Sequence, residues 1–155
     1  MNRALVLLAA CAGPTASEGG DAPPAPACTA TYTGNVTEVA TSATACASIT
    51  GAMFHAHVPS HALDAPLDIA IDLGTTATAG AYTSATVPSW SASGVRTATH
   101  EPCTYSGGSA VAPHGDLVLA LEAGGHGALT VHTYVLAATF TDCGDPLTQT
   151  VELAF

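Results

Sequence analysis

An alternation of apolar and polar residues constrains the fold of this chain more than any other feature. Leu67, Ile69 and Ile71 alternate with Asp68, Ala70 and Asp72, which is the period of a strand with one buried and one solvent-exposed face. Similar alternation marks the segments 43–49, 53–58, 128–141 and 147–155, whereas 116–122 is apolar on both faces and predicts a central strand. Turn-forming clusters separate these segments, and none shows a helical period with caps. About eight short strands predict an antiparallel β-sandwich, with a small barrel as the alternative.

The amino-terminal sequence L-A-A-C, ending at Cys11, follows Arg3 and a short apolar stretch over 4–10. It resembles the lipobox of bacterial lipoproteins. The resemblance implies that 1–10 is a signal peptide, cleaved before Cys11, and that this cysteine carries a diacylglyceryl group and usually a third acyl chain such as palmitate. The apolar stretch is at the short limit for a signal peptide, so a start codon farther upstream is an alternative. Two acyl chains suffice for stable membrane attachment.

The residue after the proposed lipidation site indicates in which membrane the protein is anchored. Ala12 stands where an aspartate would resemble an inner-membrane retention signal, so the analogy favours the outer membrane. Segment 11–27 then contains proline, glycine and small residues but no large apolar side chain, which predicts a disordered tether. A flexible coil of this length averages roughly 20–25 Å from end to end. The residues that follow, 28–155, match the size of one domain.

Four further cysteines lie in that domain: Cys28, Cys46, Cys103 and Cys143. An even number in an exported domain predicts two disulfides. Three pairings are possible. We favour Cys28–Cys46, which would cross-link a hairpin whose turn lies near Gly34. The second pair would then be Cys103–Cys143, which would link a loop to the final hairpin. None of the four lies in a C-x-x-C pair, which disfavours metal binding by these thiols.

The charge balance excludes one class of partner. The chain has 12 acidic residues but only 2 lysines and arginines, giving a formal net charge of −10. Charged residues are 9% of the chain, against about 25% in ordinary domains. Such a surface repels phosphate backbones, so nucleic-acid binding is excluded.

A histidine-rich segment, F-H-A-H-V-P-S-H-A-L-D, is the candidate metal site. On a strand, His55 and His57 point to one side about 6.5–7 Å apart, and His61 and Asp64 could fold back as further ligands. The segment resembles the copper-ligand strand of copper/zinc superoxide dismutases, but their other metal ligands, catalytic arginine and glycine-rich loop have no counterparts that align. We therefore interpret these histidines as the polar face of a strand, with divalent copper or zinc binding as the alternative.

Signals of catalysis are missing from the sequence. It has no G-x-S-x-G elbow, and pairing of the four cysteines leaves no free thiol as a nucleophile. Asp68 and Asp72 would lie roughly 13 Å apart on one strand, beyond the about 5–9.5 Å of a glycosidase pair. We interpret Trp90 as a core or rim residue rather than a sugar-stacking platform.

The whole chain also resembles small outer-membrane-type bacterial lipoproteins, which combine a lipobox, a Pro/Gly/Ala tether and a disulfide-bonded β-domain ending in a hairpin. Here the final hairpin is V-H-T-Y-V-L-A-A-T-F followed by T-V-E-L-A-F. The resemblance implies a lipid-anchored cell-envelope protein. We predict a non-catalytic binding or structural module without a cofactor, attached to the membrane by its anchor, whose protein or small-molecule partner the sequence does not identify. The alternative is a metal-binding lipoprotein that uses His55, His57 and His61.

Overall fold

The computed structural model describes residues 27–97, 102–110, 114–136 and 142–155. These residues form eleven strands, every pairing is antiparallel, and the described part contains no helix. The strands are β1 Cys28–Gly34, β2 Glu38–Ser42, β3 Ala47–Thr50, β4 Met53–Val58, β5 Ala65–Asp72, β6 Gly80–Thr83, β7 Ser89–Thr97, β8 Pro102–Gly108, β9 Asp116–Leu121, β10 Gly127–Leu136 and β11 Thr148–Ala154. Among the described residues there is thus no apolar helix of membrane-spanning length.

Strand β10 is the branch point of the sheet. One of its edges pairs with β11, and β11 continues to β1 and β2. The other edge pairs with β9 through 127–132 and with β8 through 134–136. The β9 branch ends at β6, whereas the β8 branch continues through β7, β5 and β4 to β3. The result is one continuous sheet that curls around its core.

The two ends of this sheet are joined across the core. The Tyr32 hydroxyl on β1 donates a hydrogen bond to the Val58 carbonyl oxygen at the end of β4, at 3.3 Å. The rings of Phe54 and Phe155 lie 5.4 Å apart between their centroids. The disulfide between Cys28 and Cys46 links the start of β1 to the segment before β3. Inward-facing side chains from both ends therefore share one apolar core.

A second disulfide and a polar network hold the described residues around Cys143, which precede β11. Cys103 on β8 is bonded to Cys143. The Cys143 carbonyl oxygen accepts hydrogen bonds from the Asn35 side-chain amide and from Arg96 Nη2, the latter at 3.4 Å. The Tyr105 hydroxyl donates to Asn35 Oδ1 at 2.6 Å. This segment is therefore tied to the β1–β2 turn and to β7 and β8.

Gln149 is a buried polar residue on β11, and only 1% of it is exposed. Its Oε1 accepts a hydrogen bond from the Val36 backbone N–H at 2.7 Å. Its Nε2 lies 2.9 Å from the Thr33 carbonyl oxygen, 3.0 Å from that of Val36 and 3.1 Å from that of Thr150. The side chain thereby satisfies both backbone groups of Val36 in the β1–β2 turn and contacts the carbonyl oxygens of Thr33 on β1 and Thr150 on β11.

The predicted all-β antiparallel fold and both favoured disulfides are confirmed, but several details differ. The structure has eleven strands where we expected about eight. Segment 116–122 is not buried on both faces, because every second side chain of β9 points outward and Val118 is 48% exposed. Residues 43–46 precede β3 instead of belonging to it, and Cys103 lies within a strand and not in a loop. The end of the predicted strand 128–141, from 137 onward, lies outside the described residues.

Candidate functional site

The alternation of β4 places the candidate metal-ligand pair of the alternative interpretation on its outer face. Phe54, Ala56 and Val58 point into the core, while His55 and His57 are exposed. Because the core residues on either side of each histidine are buried, both imidazoles project from a strand with a fixed orientation.

Asp68 on β5 is the closest polar partner of this pair. It lies directly opposite His57 in the β4–β5 register. The distance from His57 Nδ1 to Asp68 Oδ1 is 2.6 Å, and the two side chains are 66% and 69% exposed. The sequence indicated only a solvated face for Asp68, because nothing in the spacing of the residues specifies the strand register.

A hollow of about 250 Å³ lies next to His55 on the outer face of β4, β5 and β7. Its polar lining comes from His55, Asp68, Ser91 and Ser93, and Ala70 is among its apolar residues. His55 lies opposite Ala70 in the register, so a methyl group is its cross-strand neighbour on β5. The ring of His55 has no hydrogen-bond partner among the described residues, which leaves both of its nitrogens accessible.

The other two candidate ligands of that alternative, His61 and Asp64, are held in different surroundings. His61 is exposed in the β4–β5 connection, where its backbone N–H donates to Glu38 Oε2 at 3.0 Å. Asp64 accepts a hydrogen bond from the Thr97 backbone N–H, and this bond lowers the pKa of the Asp64 carboxyl group. Within the described part of the chain, no three or more His, Cys, Asp or Glu side chains come together as a metal-binding group. The structure therefore keeps His55 and His57 together and separates His61 from them.

A second histidine–aspartate pair lies where β9, β10 and β11 run side by side. His132 Nε2 on β10 is 3.6 Å from Asp116 Oδ1 on β9. Its Nδ1 is 2.8 Å from Thr150 Oγ1 on β11. Both ring nitrogens of His132 are thus engaged, and the three side chains form a row across neighbouring strands.

The strands from β2 through β10 to β6 present a surface of mostly small side chains that we call the threonine face. Its members point outward from β2, β1, β11, β10, β9 and β6: Thr29, Thr31, Thr33, Val39, Thr41, Ala81, Thr83, Val118, Ala120, Ala128, Thr130, Thr150, Glu152 and Ala154. Val39 is 65% exposed, and a hollow of about 250 Å³ lies around Thr31 and Thr130. Asp116 and His132 point outward from β9 and β10 beside Thr150, so the surface also carries their pair at one end. Apart from that pair and Glu152, its side chains offer hydroxyl and methyl groups.

Trp90 is buried on β7, with 5% of the residue exposed, as expected for a core or rim residue. It lines a more open hollow of about 420 Å³ together with Ser84, Ser109 and His114. The predicted lipidation site, Cys11, and segment 1–26 lie outside the described residues.

The chain was compared with known proteins at three levels. It matches no protein-family model, no curated protein and no solved structure.

Proposed function

We propose that this chain is a lipid-anchored, non-catalytic binding module of the bacterial cell envelope. Cys11 would carry the lipid after removal of 1–10 as a signal peptide, and 11–27 would serve as a tether. The protein would be anchored in the outer membrane. The L-A-A-C sequence supports the anchor. The two disulfides support export, because disulfides persist in oxidising compartments.

The first described strand forms its pairing without needing any contact from the part of the proposed tether before Ala27. The Ala27 backbone N–H donates to the Ser42 carbonyl oxygen at 2.8 Å, and β1 starts at the next residue. The domain therefore does not need the proline-rich segment before it to complete its first strand pair. A tether of roughly 20–25 Å would then hold the domain away from the lipid headgroups.

The threonine face carries the proposal that the domain binds a partner. Threonine offers a hydroxyl and a methyl group on a side chain with restricted χ1, so ordering it on binding costs little conformational entropy. Val39 and Val118 add exposed apolar area to this polar surface. Its carboxylates are Glu152 and, at one end, Asp116, and it carries no lysine or arginine among the described residues. Such a face fits a partner that is itself uncharged and rich in hydroxyl groups, such as a cell-envelope polysaccharide.

The distribution of positive charge argues against an anionic partner. Arg96 is the one lysine or arginine among the described residues, and it is half-buried. Its guanidinium donates to the Cys143 carbonyl oxygen and so serves the fold. Anionic polymers would therefore meet a surface dominated by carboxylates.

Membrane partitioning tests the anchor. Cys11→Ser should move the protein from the membrane fraction to the soluble fraction, whereas Ala12→Ser, a control that keeps the cysteine, should remain in the membrane fraction. Unchanged partitioning of Cys11→Ser would refute lipid anchoring.

Co-sedimentation of the full chain with purified cell-wall polysaccharide tests the threonine face. Thr31→Lys with Thr130→Lys would cover its central hollow, and both new side chains would lie beside Glu152 in the register. Ser89→Lys with Ser91→Lys adds the same charge on β7, away from this face. The proposal predicts loss of sedimentation for the threonine pair alone. Equal behaviour of the two variants would exclude this face as the binding surface.

A further inference from the structure

The outer face of β4 presents two imidazoles with different hydrogen bonding. His55 and His57 are two residues apart on a strand, which places their Cα atoms about 6.5–7 Å apart on one side. Imidazole side chains leaning toward each other across this distance can share one metal ion at the usual metal–nitrogen distance of about 2.0–2.1 Å. The buried residues that alternate with them hold the strand, so little order has to be gained when a metal binds.

Asp68 gives His57 the orientation that metal-binding histidines commonly have. A carboxylate that accepts a hydrogen bond from one ring nitrogen fixes the tautomer and leaves the lone pair of the other nitrogen free for a metal. The 2.6 Å contact from Nδ1 of His57 to Asp68 meets this condition and leaves Nε2 of His57 as the donor atom. His55 has no competing hydrogen-bond partner among the described residues, and the adjacent hollow offers space for water ligands.

His132 lacks these features although it also has an aspartate partner. Its Nε2 faces Asp116 and its Nδ1 faces Thr150, so a metal would have to displace one of these contacts. No other histidine is its cross-strand neighbour in the β9–β10–β11 register. His132 therefore provides a matched control within the same chain.

We propose that His55 and His57 form an exchangeable binding site for a late first-row divalent metal ion, with Asp68 as the residue that positions His57. Two protein nitrogens leave the remaining coordination positions to water, so the site differs from a closed structural metal centre. Among such ions Cu²⁺ is bound most tightly by a given nitrogen site, which makes it the most sensitive probe. The inference does not depend on the lipid anchor or on the threonine face.

Titration of the full chain with Cu²⁺ at pH 7.5, followed by calorimetry and electron paramagnetic resonance, tests this site. We expect one equivalent of Cu²⁺ with a spectrum of two nitrogen ligands. His55→Ala and His57→Ala should each weaken binding at least about tenfold and remove one nitrogen from the spectrum. Asp68→Asn should keep both nitrogens but weaken binding by about 10- to 100-fold, as loss of an outer-shell partner does.

His132→Ala and His61→Ala are the controls, and both should bind Cu²⁺ like the unaltered chain. Equal Cu²⁺ affinity in His55→Ala, in His57→Ala and in the unaltered chain would overturn the site. Tenfold weaker binding in His61→Ala would overturn the two-histidine assignment, and unchanged affinity in Asp68→Asn would overturn the positioning role. Circular dichroism of each variant should match that of the unaltered chain, because all five substituted side chains are exposed. Retained Cu²⁺ binding in Cys11→Ser would separate this inference from the anchor.

Discussion

Replacing Gln149 by leucine should destabilise the domain severely, although the two side chains are of similar size. The change would leave the N–H and the carbonyl oxygen of Val36 without their side-chain partner in a buried position. An orphaned buried polar group costs about 1–3 kcal/mol, so these two groups predict a loss of about 2–6 kcal/mol. Because small domains are stable by only about 5–15 kcal/mol, this loss is a large fraction of the total.

Gln149→Glu separates hydrogen bonding from packing. A carboxylate retains the acceptor for the Val36 N–H but removes both donors and brings negative charge toward three carbonyl oxygens. We therefore expect Gln149→Glu to be at least as destabilising as Gln149→Leu at pH 7, and to recover part of the loss at low pH as the carboxyl group is protonated. This recovery would identify buried charge as the cause.

Denaturant unfolding followed by the fluorescence of Trp90 measures both variants, with the disulfides intact. Glu152→Gln, an exposed substitution on the same strand, is the control and should lie within about 0.5 kcal/mol of the unaltered chain. A loss below about 1 kcal/mol for Gln149→Leu would show that the β1–β2 turn satisfies its backbone groups without this side chain. An equal loss of stability in Glu152→Gln would show that the effect does not arise from the hydrogen bonds of the Gln149 side chain.

Three further predictions concern stability and its dependence on pH. Burial raises the pKa of Tyr32, so its stabilising contribution is complete below the unfolded pKa near 10 and is lost as pH rises further; Tyr32→Phe should reduce the fall of the unfolding free energy between pH 9 and 11. Replacing Cys103 and Cys143 together by alanine should cost about 4 kcal/mol in thermal or denaturant unfolding, from the entropy of the loop that they close. Glu38→Ala should accelerate proteolytic cleavage at 60–62, because the Glu38 carboxylate accepts hydrogen bonds from this segment.

Each of these predictions has an outcome that contradicts it. An identical alkaline fall in Tyr32→Phe would assign the effect to other groups, of which Tyr105 is the first candidate because burial also raises its pKa. A loss under about 1 kcal/mol for the cysteine pair would mean that the hydrogen bonds to the Cys143 carbonyl hold the segment unaided. Unchanged cleavage in Glu38→Ala, with Glu122→Ala as an exposed control, would show that the 60–62 segment does not depend on Glu38.

Strands with large apolar residues were predictable from the sequence, and those built from small residues were not. The alternation in 53–58 predicted β4 with its bounds and its faces, and Leu67 to Ile71 marked β5. Strand β7 begins S-W-S-A-S-G, and serine, alanine and glycine carry too weak a strand preference to indicate a boundary. The branch at β10 was not predictable either, because a periodic pattern gives the faces of a strand but not its partners.

The same limit applies to the candidate site. A period of two predicted that His55 and His57 share a face, since this depends only on the geometry of one strand. The contact of His57 with Asp68 depends on the register between two strands, which the sequence leaves open. The alternative ligand role of His61 required the chain after Pro59 to fold back onto the pair, whereas Glu38 accepts hydrogen bonds from that segment.

Intact-mass and peptide analysis of the protein extracted from membranes tests the lipid-anchor claim most directly. The account predicts a mature chain that begins at Cys11 and carries the added mass of a diacylglyceryl group, with or without a third acyl chain. A mature chain that begins at another residue, or an unmodified Cys11, would contradict it.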